Sequence, residues 1–356
     1  MRHALRLAAR SLGQVAPNPA VGCVIVADGV IVGRGWTAPG GRPHAEAIAL
    51  AQAGEGARGA TAFVTLEPCA HLGQTPPCAD ALIAAGVSRV VGAVVDPDPR
   101  VKGRGFVKLA AAGIDLAQGV CEEDAGALNA GFFKRIKEGR PLVALKIAES
   151  ADGFVADASG KTRWITSERS RRRSHLMRAQ NDAIMVGIGT VLADDPLLTC
   201  RLEGLENRSP MRVVVDSRLR LPPNSQLART ARETPVLVFT VANTGGEALT
   251  ASGVEIVRVE ADADGHPDLA AVLSVLAARG ITRLLVEGGP TLHAAFLRRG
   301  LADLAYRYAA RTTLGSGLRS AMPTREAQSP TNAPHFTFLA CETLGPDLLE
   351  TFAVTG

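Results

Sequence analysis

A chain of 356 residues is too long for one compact core and calls for two domains. With 46% apolar and 21% charged residues it reads as an ordinary globular protein, neither disordered nor built to span a membrane. A net charge of +4 is too mild for a nucleic-acid binder, and six scattered cysteines in so large a chain do not make a disulfide framework.

In chain order, Met1-Arg2-His3-Ala4-Leu5-Arg6 opens an amphipathic helix over Arg2–Gln14 that lacks the apolar core of a signal peptide, so a cytoplasmic protein without a membrane partner is expected. Val21–Ala27 and Val30–Gly35 are β-rich runs joined by Asp28-Gly29, a hairpin signal. Pro43 starts a helix, His44–Ala53, and a strand over Ala60–Leu66 runs out at Glu67-Pro68-Cys69. A helix over Cys78–Ala85, a strand Val87–Val95, a helix near Gly105–Ala112 and a strand Ile114–Gln118 follow. The pattern predicts a three-layer α/β sandwich. A helix over Glu122–Arg140 ends at Gly139-Arg140-Pro141, which places the domain boundary between 140 and 141.

The second half restarts with a strand at Leu142–Ala148, followed by Asp182–Val186, Met211–Asp216, Pro235–Thr240, Val254–Val259 and Arg283–Glu287. Helices are expected near Ser167–Gln180, Asp268–Arg279 and Thr291–Arg299, making this half α/β as well. The arginine run Arg169, Arg171, Arg172 and Arg173 reads as a solvated helix face, and Cys23, Cys121, Cys200 and Cys341 as buried or incidental thiols.

Cys69 and Cys78 stand apart, because a proline precedes each and His44-Ala45-Glu46 lies upstream. A zinc deaminase needs three soft or imidazole ligands, one coordination position left for water, and a carboxylate nearby that is not a ligand. His44, Cys69 and Cys78 supply the ligands and Glu46 the acid/base group. The generic deaminase signature separates its cysteines by two residues; here eight intervene. A closed structural zinc site, with His71 as fourth ligand, is the alternative for the same residues. In the second half the strand Arg283–Glu287 runs into Gly288-Gly289-Pro290-Thr291 and a helix, a turn through which backbone can approach a pyrophosphate.

The inserted loop, Glu67-Pro68-Cys69-Ala70-His71-Leu72-Gly73-Gln74-Thr75-Pro76-Pro77-Cys78, resembles the deaminase half of the bifunctional riboflavin-biosynthesis deaminase–reductase family. Pro17-Asn18-Pro19-Ala20-Val21-Gly22-Cys23-Val24, Asp96-Pro97-Asp98-Pro99 with Gly103-Arg104-Gly105, and Asn129-Ala130-Gly131-Phe132-Phe133-Lys134-Arg135 extend the resemblance, which covers nearly the whole chain. It implies a cytidine-deaminase-like domain over 1–140 and a dihydrofolate-reductase-like domain over 141–356. The first removes the 2-amino group of 2,5-diamino-6-ribosylamino-4(3H)-pyrimidinone 5′-phosphate; the second uses NADPH to turn the ribosyl chain into ribityl. One zinc per chain and a homo-oligomer are implied.

By the same resemblance Asn18 and His71 contact the pyrimidine. Ala148, Trp164, Thr190, Asp194, Ser217 and the stretch Gly289, Pro290, Thr291, Leu292, His293, Ala294, Ala295 line the NADPH site. Thr162, Arg178, Leu198, Arg201 and Glu287 line the substrate site, with Arg178 and Arg201 suited to clamp a 5′-phosphate. Three places depart from the family pattern: Gln74, where a basic residue is frequent; Ala151, where leucine is usual; and Ala309-Ala310-Arg311-Thr312-Thr313-Leu314-Gly315. The rival readings are a tRNA-type nucleic-acid deaminase with an unrelated second half, and a zinc-stabilised binding scaffold. Low aromatic content, the long cysteine spacing and the lack of a basic stripe oppose the first.

Overall fold

The computed structural model describes residues 1–72, 76–158, 164–322 and 334–355. The chain divides into two compact units, Met1–Arg140 and Pro141–Gly356. Among the described residues no helix is long and apolar enough to cross a membrane.

The first unit runs α1 (Arg2–Ala8), β1 (Gly22–Ala27), β2 (Val30–Trp36), α2 (Ala45–Ala53), β3 (Thr61–Val64), α3 (Cys78–Ala84), β4 (Arg89–Gly92), α4 (Arg104–Ala111), β5 (Asp115–Ala117), α5 (Glu122–Leu128) and α6 (Ala130–Glu138). Its sheet has the order β2-β1-β3-β4-β5, antiparallel about β1 and parallel from β3 onward. Alternation along β1 sends Cys23 and Ile25 to the face covered by Ala45 and Ala49 of α2, Leu82 of α3 and Phe106 of α4. Val24 points the other way, to Ala4 and Leu7 of α1. The result is the three-layer sandwich.

Helix α2 lies close against β2 because the strand carries glycine where the helix crosses it. A Cβ on Gly35 would sit 2.0 Å from the Ala45 carbonyl oxygen, and one on Gly33 2.2 Å from that of Ala49. The expected first helix stops at Ala8 and tightens into a short 3₁₀ turn, Ala9–Ser11. The single helix expected over Glu122–Arg140 is two, broken at Asn129 (φ −97°, ψ 14°). The buried Asn129 side chain both accepts from the Ala20 N–H and donates to the Ala20 carbonyl, each at 2.9 Å, and so ties down the Pro17–Ala20 loop.

The second unit runs β6 (Leu142–Glu149), β7 (Phe154–Asp157), α7 (Glu168–Ala179), β8 (Ala183–Gly187), α8 (Ile188–Asp194), β9 (Met211–Val215), α9 (Gln226–Arg229), β10 (Val236–Thr240), α10 (Glu247–Ala251), β11 (Glu255–Arg258), α11 (Leu269–Ala278), β12 (Arg283–Val286), α12 (Pro290–Arg298), β13 (Leu304–Ala309), β14 (Gly317–Arg319), β15 (His335–Leu344) and β16 (Asp347–Thr355). The main sheet has the order β11-β10-β9-β8-β12-β6-β13-β16-β15, parallel from β11 through β13 and closed by an antiparallel hairpin. Its central strands are apolar on both faces, as covered parallel strands must be. Leu145, Met185 and Val286 meet Val272, Leu276 and Phe296 of α11 and α12. On the opposite face Ala144 and Leu285 meet Met177 of α7.

The hairpin β15–β16 and strands β7, β13 and β14 escaped the sequence reading. β15 is an edge strand with almost every side chain exposed, so it lacks the in–out alternation that marks a strand.

Candidate active sites

His44 is the N-cap residue of α2, in extended backbone (φ −69°, ψ 158°), while Cys69 follows the end of β3 and Cys78 is the first residue of α3. Strand end and helix starts thereby converge. The His44 Nδ1 and the two sulfurs all lie within 4.8 Å of one another. In a tetrahedral zinc site with thiolate and imidazole ligands the N···S edges are roughly 3.5 Å. Here Nδ1 lies 3.2 Å from Cys78 Sγ and 3.7 Å from Cys69 Sγ, so the donor set and its spacing fit zinc. Among the described residues the cluster has three members and His71 is not one of them, which leaves a coordination position open and disfavours a closed structural site. The Cys78 N–H at the start of α3 donates to Cys69 Sγ at 3.3 Å. The hydrogen bond from the Cys78 thiol, then that from His44 and this backbone bond, outweigh burial and hold the Cys69 thiol well below its ordinary value.

Glu46 lies in the first turn of α2 and is buried. Burial, with the Cys69 charge beside it, pushes its carboxyl up to about 7, where a group can both take and return a proton near neutrality. It shares a pocket of about 280 Å³ with His44, Cys69, Asn18 and His71. His71 Nδ1 is buried and has no hydrogen-bond partner among the described residues. Asn18 lies against Gly41, where a Cβ would come within 2.0 Å of its Nδ2; Gly41 (φ 87°) is what lets Asn18 sit there.

The sequence reading did not single out the pocket's acidic wall. Glu67 is buried and accepts from the N–H groups of Gly103 and Gly105, each at 2.8 Å, and of Asp96 at 3.2 Å. It pins the 96–105 loop beside Cys69, and a Cβ on Gly105 would lie 1.9 Å from the Pro68 carbonyl oxygen. Burial pushes Asp96, in that same wall, up to about 6. The Asp96-Pro97-Asp98-Pro99 motif was the available signal.

The second unit holds a cleft of about 2000 Å³ across the carboxyl ends of its parallel strands. Two adjacent strands, β8 and β12, each run through glycine into a helix, at Gly187-Ile188-Gly189 and Gly288-Gly289-Pro290. A Cβ on Gly187 or Gly189 would meet nothing within 4 Å, and one on Gly289 only Thr190 Oγ1 at 3.9 Å. None of the three has the left-handed backbone that requires glycine. What they keep clear is space in the cleft itself, a cradle fit for a pyrophosphate at the start of α12. The sequence reading found only the second turn, although Gly187-Ile188-Gly189 after a strand was legible.

Ala148, Trp164, Thr190, Asp194, Ser217, Gly289, Pro290, Thr291, Leu292, His293 and Ala295 all line this cleft, as do Arg178, Leu198, Arg201 and Glu287. Ala294 does not. Thr162 and Gln74 lie outside the described residues. The arginine run is not a plain solvated face: Arg171 and Arg172 line the cleft, Arg171 stands 5.0 Å from the Trp164 ring centre, and Arg173 pairs with Glu342 at 3.1 Å. Helical spacing explains this, since Arg171, His175 and Arg178 fall on one face of α7.

The Arg178 fork is already engaged. Nε and Nη2 donate to the two Glu287 oxygens at 2.8 Å each, and Nη1 to the Thr199 carbonyl at 3.0 Å. Lys146, in the middle of β6, also reaches the cleft, and burial pulls its ammonium down. His293 donates from Nε2 to the Val286 carbonyl at 3.3 Å, and burial holds it down at about 4, so it is neutral. Two of the departures from the family pattern meet in space: the Ala151 N–H donates to the Thr312 carbonyl at 2.8 Å, and Asp152 accepts from the N–H groups of Leu314 and Gly315.

Residues 141–349 match the RibD C-terminal domain, and residues 1–94 the zinc-binding region of cytidine and deoxycytidylate deaminases. The riboflavin biosynthesis protein RibD of Escherichia coli is 43% identical over 98% of this chain and 96% of its own. That of Aquifex aeolicus is 42% identical over 89% and 88%. The solved structure of Acinetobacter baumannii RibD superposes with a TM-score of 0.87 at 39% identity, covering 100% of this chain and 98% of that one. A Thermotoga maritima diaminohydroxyphosphoribosylaminopyrimidine deaminase/5-amino-6-(5-phosphoribosylamino)uracil reductase does so at 0.87 and 36%, covering 99% and 97%. Because the second half matches the reductase family, an unrelated C-terminal domain on a nucleic-acid deaminase is not favoured. The chain belongs to the RibD family and is a bifunctional enzyme of riboflavin biosynthesis, with a zinc-binding deaminase domain followed by a reductase domain.

Proposed function

We propose that the two sites act in turn on one small phosphorylated pyrimidine, with residues 1–140 forming the deaminase and 141–356 the reductase. The first substrate is 2,5-diamino-6-ribosylamino-4(3H)-pyrimidinone 5′-phosphate, and the product of its deamination is reduced from ribosyl to ribityl. The observation that carries the reading is the pairing of a three-ligand cluster beside buried Glu46 with a glycine-lined cleft in the other unit.

His44, Cys69 and Cys78 hold one zinc per chain, which when bound supplies the Lewis acidity that activates water. Glu46 takes one proton of the attacking water and passes it to the ring nitrogen as the C–O bond forms, then carries the second, from the added hydroxyl, to the amino group, which leaves as ammonia as the C–N bond breaks. His71 and Asn18 orient the pyrimidine. In the cleft the glycine turns seat NADPH, the source of the two electrons. Trp164, Thr190, Asp194, Ser217 and the start of α12 flank it, and Arg201 meets the substrate's 5′-phosphate. Arg178 orients Glu287 against the sugar.

The enzyme works in the cytoplasm as a homo-oligomer. The edge strand β15 leaves Phe338 56% and Leu339 54% exposed, a surface that folded proteins usually cover.

The test is to supply the diaminopyrimidine phosphate with NADPH and to follow ammonia and NADPH absorbance together. One ammonia and one NADPH per substrate, the ammonia first, are expected. NADPH loss ahead of ammonia would reverse the order of the two steps.

A further inference from the structure

Between α8 and β9 the chain makes no regular structure over residues 195–201, and Leu198 has left-handed backbone (φ 57°). Three consecutive residues of this segment are nonetheless fixed by side chains. The Thr199 carbonyl accepts from Arg178 Nη1 at 3.0 Å, the Cys200 N–H donates to Ser209 Oγ at 3.1 Å, and the Arg201 N–H donates to His175 Nδ1 at 3.3 Å. Arg178 and His175 are neighbours on α7, so one helix face holds the segment on both sides of Cys200. The two arginines then differ in a telling way. Arg178 gives all three nitrogens to protein acceptors, while Arg201 forms no ion pair among the described residues and lies exposed in the cleft wall.

We propose that His175 is a positioning residue of the reductase: its unprotonated Nδ1 takes the main-chain N–H of Arg201 and so fixes where the Arg201 guanidinium meets the phosphate of a phosphorylated pentose. This rests on the reading above that Arg201 receives that phosphate. Burial and the charges of Arg178 and Arg201 push His175 down to about 4, which keeps the ring neutral near neutrality. A neutral ring that accepts at Nδ1 carries its hydrogen on Nε2. Protonation at Nδ1, or a side chain without an acceptor there, frees the Arg201 backbone and lets the guanidinium wander. The consequence falls on phosphate binding in ground and transition states alike, hence on KM and not on kcat.

The geometry gives a clean set of variants, because an asparagine amide overlays Nδ1 of histidine and a glutamine amide overlays Nε2. Binding of ribose 5-phosphate to the full-length protein is measured by calorimetry, alongside reductase KM and kcat, for Arg201→Met, His175→Leu, His175→Asn and His175→Gln. Arg201→Met is expected to weaken ribose 5-phosphate by at least about tenfold and His175→Leu by about five- to tenfold, with kcat within about twofold. His175→Asn is expected to recover most of the loss and His175→Gln little of it. Should His175→Leu fail to fold, the contrast between Asn and Gln still decides. Recovery by Gln and not Asn, or undiminished binding in His175→Leu while Arg201→Met loses it, overturns the positioning role and leaves Arg201 as the phosphate residue. Undiminished binding in Arg201→Met removes the reading of Arg201 itself, and the proposal with it.

Discussion

Arg178 and Glu287 meet fork to fork in the reductase cleft, Nε to Oε1 and Nη2 to Oε2, both at 2.8 Å. Burial by itself raises the Glu287 carboxyl, but the Arg178 charge and hydrogen bonds, with Lys146 behind them, outweigh it and hold Glu287 at about 2. A carboxylate depressed in the fold stabilises it at pH above its ordinary value near 4.5, and that contribution fades as pH falls toward 2. Over that interval it amounts to ~3 kcal/mol. Glu287→Gln should therefore destabilise the second unit by roughly 3 kcal/mol near neutrality, with the deficit shrinking steadily between about pH 5 and 2.5. Denaturant unfolding of parent and variant across that range is the check; a pH-independent gap would mean that folding does not depress the Glu287 carboxyl.

Gly35 carries the deaminase site at one remove. A Cβ there would lie 2.0 Å from the Ala45 carbonyl oxygen, so Gly35→Ala must push away the first turn of α2, which bears His44 and Glu46. Overpacking of this kind typically costs about 1–3 kcal/mol. Stability should fall by that amount, and zinc affinity and ammonia release should fall with it, while reductase turnover holds. Normal zinc content and deamination in Gly35→Ala would show that the strand–helix contact does not set the site.

The metal cluster makes its own prediction. The protein should purify with about one zinc per chain, because two thiolates and an imidazole at this spacing bind it tightly. Cys78→Ala leaves only His44 and Cys69 and should carry less than about a tenth of the parent's zinc. Full occupancy by elemental analysis in that variant would take Cys78 out of the ligand set.

The deaminase chemistry was legible in the sequence because its parts are local: His44 and Glu46 share one helical turn, Cys78 opens α3 directly after Pro77, and Cys69 follows Pro68 in the segment beyond β3. The reductase was harder to read. Its cleft gathers Lys146, His175, Ser217 and Glu287 from four separated segments, and Lys146 stands in a strand that otherwise reads as core. His175 was hidden in an arginine-rich helix whose net composition suggested only a wet surface. Asn129 looked like helix interior, and only its two bonds to Ala20, more than a hundred residues away in sequence, explain the break there. Edge strand β15, exposed along most of its length, offered no periodicity to detect.

On the proposed function, each unit carries a complete site for one of two successive reactions. Among the described residues, those lining the pocket beside Glu46 come from 17–136 and those lining the cleft from 146–318. Paired assays on Glu46→Gln test this most directly, since glutamine keeps the size and Glu46 is not a ligand. Deamination should fall by about 10²–10⁴-fold with zinc retained. When the deaminated intermediate is supplied, NADPH oxidation should match the parent within about twofold. Loss of that reduction in Glu46→Gln, with zinc and fold intact, would contradict the account, because the two halves would then share one composite site.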